Sequence, residues 1–420
     1  MKKAIRWMMV LQVFMLLGCG PSNDVTTEMK ADYPKAIQLS LENPTSLARV
    51  DEVVTLKIEA LRFKASDFNQ QAFVILSGDE EIPSQFVGND GGGEIVLVTN
   101  FSPNEKKTIT ILYAESGEKA REYSKRTQAE LSQKFDGKFE NKKYIGGAFQ
   151  NISYVRVPAE HTDHSEFFRY EGPGWESDKV GYRFYLDWRN ATDIFGKKTP
   201  DMVLQNIGLD GFESYHNMSD WGMDILKVGE SLGIGTIAMW HDGKANRVAV
   251  TDSVTCEISA NGPVFSEVQT KYFGWKVGDQ KLDLFSDLSI AAGSRMAKHS
   301  LTLSGNADNL CTGIVKLENS EVIQPTEAGS EWTYLATFGQ HSLAGDTLGM
   351  AVLYRQSDLV EVTGDANSHV VVLRPAGKQL TYYFLGAWQQ EPNGIRSKYE
   401  FVQYLNEEVA RLDAPILVQI

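Results

Sequence analysis

Residues 215–235, YHNMSDWGMDILKVGESLGIG, gather Tyr215, His216, Asp220, Trp221, Asp224 and Lys227 into one short stretch. An imidazole that titrates near neutrality, a phenol, an indole able to stack on a sugar ring and several charged hydrogen-bonding groups are the ingredients of a carbohydrate site. Gly222, Gly229, Gly233 and Gly235 interrupt the stretch, so it reads as a loop feeding a short strand and not as a helix. The blander alternative is a solvated loop pinned over the core by Trp221.

A second source of chemistry lies just upstream. Residues 182–189 alternate, putting Tyr182, Phe184, Leu186 and Trp188 on one face and Arg183, Tyr185, Asp187 and Arg189 on the other. The expectation is a strand packed on one side and open to a ligand on the other. Lys179, Arg183, Arg189, Lys197 and Lys198 form the densest cationic region, and Glu176, Asp178, Asp187 and Asp193 could neutralise it on a solvated face. Arg183 stands out because a planar guanidinium can grip both oxygens of a carboxylate.

Other motifs are weaker. His161 and His164, with Asp163 and Glu166 nearby, lack a third ligand, so a surface loop is expected and a divalent metal stays open. Residues 229–233, GESLG, match the serine-hydrolase pattern, but IGTIAMW follows as a strand. The strand–turn–helix elbow is missing, so Ser231 is not expected to be a nucleophile. His241-Asp242-Gly243 reads as a turn. His299, His341 and His369 fall in strand-like contexts that suit a satisfied core histidine or an inward site residue equally.

The elements that must position these groups are mainly β. Short alternating runs such as AIQLSLEN, EVVTLKIEAL, AFVILS, EIVLVTN and TITILYA predict a small N-terminal β-sandwich over residues 33–116. Within it Asn89-Asp90-Gly91-Gly92-Gly93 reads as a hairpin, because it lacks the spaced carboxylates of a calcium loop. The charged run KAREYSKRTQAELSQKF predicts a helical linker over 117–140. Strands without α/β alternation then predict a larger antiparallel β-supersandwich over 141–420, with a closing helix over 399–412 and an apolar tail, PILVQI. Its length and the Gly-Pro strand starts at Gly172-Pro173 and Gly262-Pro263 are similar to the galactose mutarotase-like fold. Seven of the eight tryptophans lie between Trp175 and Trp388, which places the expected ligand site in this larger unit.

The ends and the charge set further bounds. Lys2, Lys3 and Arg6 precede an apolar run and then Leu16-Leu17-Gly18-Cys19. Residues 1–19 thus read as a lipoprotein signal peptide, too short for a membrane span. Cys19 would carry the lipid and residues 20–32 would be a tether, placing the chain at a bacterial cell envelope with membrane contact through that anchor alone. A net charge of −14, from 41 Lys plus Arg against 55 Asp plus Glu, argues against nucleic acid as a partner. An anionic substrate would need a local cationic pocket. Cys256 and Cys311 suit either one disulfide or two buried thiols.

EGPGWESDKVGYRFYLD, DIFGKK, HNMSDWGMDILKVGESLG, NGPVFSEV, YFGWK, FGQHSL, LGMAV and YYFLGAW follow one another in that order. Together they resemble the domain of unknown function 4861 family, over most of residues 35–405. The resemblance implies a lipoprotein linked to acidic polysaccharide degradation. The activity it implies is an oligosaccharide dehydratase, a carbon–oxygen lyase that removes water across C4 and C5 of a non-reducing-end uronic acid. That chemistry requires a neutralised carboxylate, a base for the C5 proton and an acid for the departing 4-hydroxyl. The expected roles are Arg183 on the carboxylate with Lys198 helping, His216 as base, Tyr185 or Tyr215 as acid, and Trp221 and Asp224 as further substrate contacts. Rival expectations are a non-catalytic glycan-binding lipoprotein, a sugar mutarotase or epimerase, and a purely structural lipoprotein. The expected partner is an acidic oligosaccharide; no cofactor is assigned beyond the open divalent metal, and the oligomeric state is open.

Overall fold

The computed structural model describes residues 25–89, 92–325 and 329–420; the expected signal peptide over residues 1–19, with Cys19, lies outside them. The end of the expected tether is a helix, Val25–Asp32, that delivers Tyr33 into a buried position.

Alternating runs build the first sandwich. One sheet has the order Leu417–Gln419, Lys35–Glu42, Lys106–Tyr113, Phe73–Ser77, Glu80–Ile82, and the other has Arg49–Lys57, Gly92–Phe101, Ser84–Asn89. Ile37, Leu39 and Leu41 from one sheet meet Val54, Leu56, Ile95 and Leu97 from the other in a single core, as period-two burial requires. Asn89 pairs with Gly92 across the expected hairpin, whose Asp90 and Gly91 lie outside the described residues. The run EVVTLKIEAL does not stay extended. It ends at Lys57, and Ile58–Lys64 is a helix that buries Ile58 and Leu61 one turn apart.

The C-terminal tail corrects the expected division of the chain. Leu417–Gln419 pairs with Ser40, Leu41 and Glu42, so the apolar tail completes the first sandwich and not the second. Arg49, fully buried, donates to Ala414 O at 2.5 Å and to Glu52 Oε1 at 2.9 Å, fastening that return.

The helical linker is also corrected. Residues 118–126 carry no regular structure, and Thr127–Glu130 and Ser132–Glu140 are strands. Helix propensity loses here to tertiary partners. Arg121 forks onto Glu81 at 2.7 and 2.6 Å, and Arg126 forks onto Asp51 at 2.7 and 2.8 Å. Ala129 and Leu131, two apart, then enter the apolar core while Glu130 between them is buried against Arg169, a period-two signal hidden beneath the charges.

The larger unit is an antiparallel supersandwich. Its nine-stranded sheet runs Tyr154–Arg156, Ser253–Asn261, Phe265–Val277, Gln280–Ala291, Met296–Leu303, Gln379–Trp388, Thr347–Arg355, Trp332–Gln340, Ser320–Ile323. Two five-stranded sheets share its core. The first runs Gly222–Asp224, Thr192–Lys197, Val180–Phe184, Gly174–Ser177, Thr127–Glu130, and the second Lys244–Arg247, Ala238–His241, Leu310–Val315, Ser368–Leu373, Leu359–Gly364. The closing helix, Lys398–Asp413, opens with a Ser397/Glu400 capping box. It buries Phe401, Leu405 and Val409, at i, i+4 and i+8, among Ala336, Ala351 and Leu353 of the long sheet. Gly349 makes that contact possible: a side chain there would lie 2.8 Å from the Phe401 ring.

Several candidates resolve into structure. Cys256 and Cys311 are free, buried thiols, and burial pushes the Cys256 thiol up to about 12. His299 is a satisfied core histidine between Ser286 Oγ and Tyr382 OH, each at 2.7 Å, and burial lowers its pKa to about 3. Asp242 and Gly243, both at positive φ, form the turn joining two paired strands. Ser231 is buried and donates to Val228 O at 2.6 Å, which is a turn role. Among the described residues no helix is long and apolar enough to cross a membrane.

Candidate active site

The strand expected to open toward a ligand does not. Val180–Phe184 is buried on both faces, and residues 185–191 leave it in a tight excursion. Tyr182 packs on Trp175 and Phe384 toward the long sheet. Arg183 points the other way and is 2% exposed, roofed by Tyr170, Phe195 and Tyr215. A buried guanidinium survives only with counter-charges, and the sheet register supplies them. Asp193 is Arg183's direct cross-strand partner, and Asp224 sits on the next strand over.

The resulting cluster is dense. Arg183 Nη2 donates to Asp224 Oδ2 at 2.6 Å and to Asp193 Oδ2 at 2.8 Å, and Nη1 donates to Tyr215 OH at 3.0 Å. Tyr185 OH donates to Asp193 Oδ2 at 2.7 Å. Burial raises the Tyr185 and Tyr215 phenols above their ordinary range, and Arg183 works against that rise at both. Burial, reinforced by Asp193, also holds Asp224 well above the carboxylate range. One guanidinium thus stands between two carboxylates, and burial beside Asp193 disfavours the ionised form of Asp224.

His216 belongs to the same cluster. Its Nδ1 faces Phe212 O at 3.0 Å, which fixes the proton on that nitrogen in the neutral ring, and Nε2 lies 3.5 Å from Asp224 Oδ2. Burial and the Arg183 charge lower its pKa, so the ring is neutral near pH 7. The structure thus brings together Arg183, Tyr185, Tyr215, His216 and Asp224 of the expected residues. Two do not join. Lys198 is exposed, with Nζ only 3.4 Å from Ser219 O, and Trp221 packs its ring against the Phe195 edge at 5.9 Å.

A cleft of about 520 Å³ opens beside this cluster, within the range of small-ligand sites. Lys134, Lys143 and Phe149 come from the hairpin Ser132–Glu140/Lys143–Asn151. Asp210, Phe212, Glu213 and Tyr215 come from the loop after Leu204–Asn206. Between them lie His164, Glu166, Phe168, Tyr170 and Glu171. Tyr215 belongs both to the cleft and to the buried cluster, and Tyr170 and Glu171 of the cleft also approach Arg183. The middle segment is strained: His164, Glu166, Tyr170 and Glu171 all have positive φ, from 41° to 71°. Left-handed non-glycine residues are costly and cluster where function over-determines them.

The family model described as "Domain of unknown function (DUF4861)" matches residues 41–418, nearly the whole sequence. The chain belongs to that family. No curated protein matches this DUF4861 chain significantly. Solved structures give distant likenesses. A protein in glycosyl hydrolase family 38 from Enterococcus faecalis has 10% identity over 91% of this chain and 47% of that one, with a TM-score of 0.42. An alpha-mannosidase from Enterococcus faecalis V583 has 11% identity over 91% and 46%, with a TM-score of 0.44. A putative aldose 1-epimerase from Klebsiella pneumoniae has 11% identity over 58% and 84%, with a TM-score of 0.30. The DUF4861 chain spans less than half the length of the first two.

The remaining charged candidates are paired off. Lys197 and Glu176 form an ion pair at 2.6 Å with no exposed side-chain surface, and Glu176 Oε1 also accepts Val203 and Leu204 N–H groups at 2.8 and 2.9 Å. Arg189 is clamped by Asp187 at 2.5 Å, Glu171 at 2.7 Å and Asp163 at 2.7 Å. The expected metal grouping changes membership. Glu171, and not His161 or Glu166, approaches Asp163 and His164, with candidate ligand atoms within 4.8 Å of one another. Arg189 already bridges both carboxylates, so a resident cation there is disfavoured. His161 turns to Ser165 Oγ at 2.7 Å, and burial lowers its pKa to about 4. Glu166 lies 3.2 Å from Lys143 and 3.7 Å from Lys134. Sequence reasoning missed Glu171, although it begins the EGPGWESDKVGYRFYLD block; Phe149, Lys134 and Lys143 carry no local signal at all.

Proposed function

We propose that this chain is a carbon–oxygen lyase, a dehydratase that removes water from the non-reducing-end uronic acid of an acidic oligosaccharide and leaves an unsaturated uronate. We place it at the bacterial envelope, tethered through lipidated Cys19. The observation that carries the reading is Tyr215. It lines an aromatic, charged cleft while its hydroxyl receives an N–H from buried Arg183 at 3.0 Å.

A phenol so placed suits the acid of an elimination. It is protonated at neutral pH, and the adjoining guanidinium stabilises the phenolate formed when the proton passes to the departing 4-hydroxyl. Arg183 itself is committed to Asp193 and Asp224, so the role of meeting the substrate carboxylate passes to Lys134 and Lys143. These two ammonium groups share one exposed partner, Glu166. Asp210, Glu213 and Glu171 then offer acceptors to sugar hydroxyls, and Phe149 and Phe212 offer faces for the ring. The required base is an imidazole, and two stand 4.7 Å from Phe212: His164 and His216.

The test mixes the protein with oligosaccharides ending in glucuronate, iduronate or galacturonate. Ultraviolet absorbance of the conjugated enoate and mass loss of one water should grow together. Solvent deuterium entering the sugar without water loss would replace the lyase by an epimerase. Binding without either signal would replace it by a glycan-binding lipoprotein.

A further inference from the structure

We propose that His164, held by Asp163, is the general base of the cleft; this deepens the dehydratase reading and rests on it. His164 Nδ1 lies 2.5 Å from Asp163 Oδ1. It is a close charge contact and not an aligned hydrogen bond, because Asp163 Oδ1 has no hydrogen-bond partner, so it sets a carboxylate against one edge of the ring without assigning the tautomer. Asp163 is itself held by Arg189 Nη1 at 2.7 Å, and Arg189 is anchored at its other nitrogens by Asp187 and Glu171. Glu171 also reaches back to accept the His164 backbone N–H at 3.3 Å. The main chain of His164 is thereby tied to Glu171 while the Asp163 carboxylate lies against its ring.

Placement favours His164 over His216. His164 lines the cleft together with Tyr215, whereas His216 is not among the residues that shape it and turns Nε2 toward Asp224. The His164 backbone sits at φ 54°, in the left-handed region, which histidine visits more readily than most non-glycine residues. The same segment carries Tyr170 and Glu171 at positive φ, so the strain is concentrated where the cleft and the arginine clamp meet.

The step balances. The C5–H bond breaks and its proton goes to His164 Nε2, while its electron pair forms the C4–C5 double bond. The C4–O bond breaks, and the leaving hydroxyl takes the Tyr215 proton and departs as water. The proton on His164 then returns through solvent to the phenolate, restoring both groups. No oxidant, reductant or second substrate is needed.

The test uses the full chain and a uronate-ended oligosaccharide. His164→Asn suits it because asparagine tolerates left-handed backbone. It should lower kcat by about 10²- to 10⁴-fold, the usual weight of a general base, with binding within a few-fold of wild type. Added imidazole should restore part of the lost rate, which a merely structural histidine would not allow. Asp163→Asn should lower kcat about tenfold at unchanged KM, as expected of a positioning residue. Carbethoxylation of His164 by diethylpyrocarbonate, read by mass spectrometry, should be blocked by saturating oligosaccharide. Turnover by His164→Asn within tenfold of wild type would sink the base assignment while leaving the dehydratase reading standing. So would loss of wild-type activity to a chelator with recovery on adding a divalent cation. Absence of wild-type turnover on every uronate end would remove the dehydratase reading itself, and the base role with it.

Discussion

The guanidinium of Arg183 donates to Asp224 at 2.6 Å with both side chains sealed from water. Removing either partner leaves an uncompensated buried charge or polar group. Arg183→Met should therefore destabilise the fold by about 3–5 kcal/mol, the usual cost of breaking a buried ion pair from one side. Arg183→Lys should fall between, because one ammonium cannot serve Asp193, Asp224, Tyr170 O and Tyr215 OH together. Urea denaturation of the three proteins decides it; a methionine variant as stable as wild type would contradict the charge pairing described above.

The raised pKa of Asp224 sets a pH dependence. Its native pKa is raised above the unfolded value near 3.9. The native state therefore binds more protons than the unfolded state between the two values. The contribution from Asp224 is then complete below about pH 4 and is lost as pH rises through the native pKa. Asp224→Asn mimics the protonated acid and should flatten this component. The quantity to measure is the difference in unfolding free energy between wild type and Asp224→Asn across pH 4 to 9. It should shift steadily in favour of the variant with rising pH, and a constant difference would show that Asp224 is ionised throughout.

Some of this arrangement was legible in the sequence and some was not, for physical reasons. Alternation at Tyr182 and Phe184 reports a face packed on the core, and it does pack there. The same alternation cannot say whether the Arg183 face meets solvent, because that depends on Asp193 and Asp224 arriving from other strands and on Tyr215 closing over them. The residues clustered in the 215–235 loop converge as Tyr215, His216 and Asp224, but Trp221 and Lys198 do not join them. Thr127 and Ala129 lie on a strand whose period is masked by the adjoining charged run, in which Arg126 bonds to Asp51 and Asp178. The cleft is less legible still, since Lys143, His164 and Phe212 meet only through tertiary structure.

Two conservative substitutions separate the roles of neighbouring residues in the loop. Tyr215→Phe keeps the ring packed on Phe195 and Phe212 and removes only the hydroxyl. It should cost about 0.5–1.5 kcal/mol of stability for one hydrogen bond, yet lower kcat by about 10²- to 10⁴-fold. His216→Gln keeps a donor toward Phe212 O and should change kcat by less than about tenfold. Steady-state kinetics with the enoate assay compares them directly. Equal, severe losses would return the base to His216.

The lysines of the hairpin test how the cleft recognises charge. Lys143 is largely exposed and Lys134 is mostly covered, and both face Glu166. Ion pairs in that setting are worth about 0.2–1 kcal/mol each, so Lys134→Ala and Lys143→Ala should each raise KM by up to about fivefold for a uronate end, at unchanged kcat. The penalty should shrink as salt rises from low ionic strength toward about 0.5 M, because screening weakens the wild-type contact too. A neutral sugar at the same terminus should bind both variants as it binds wild type. If KM for the uronate end is unmoved in the double variant, the carboxylate is held elsewhere in the cleft, and the hairpin contributes only the Phe149 ring.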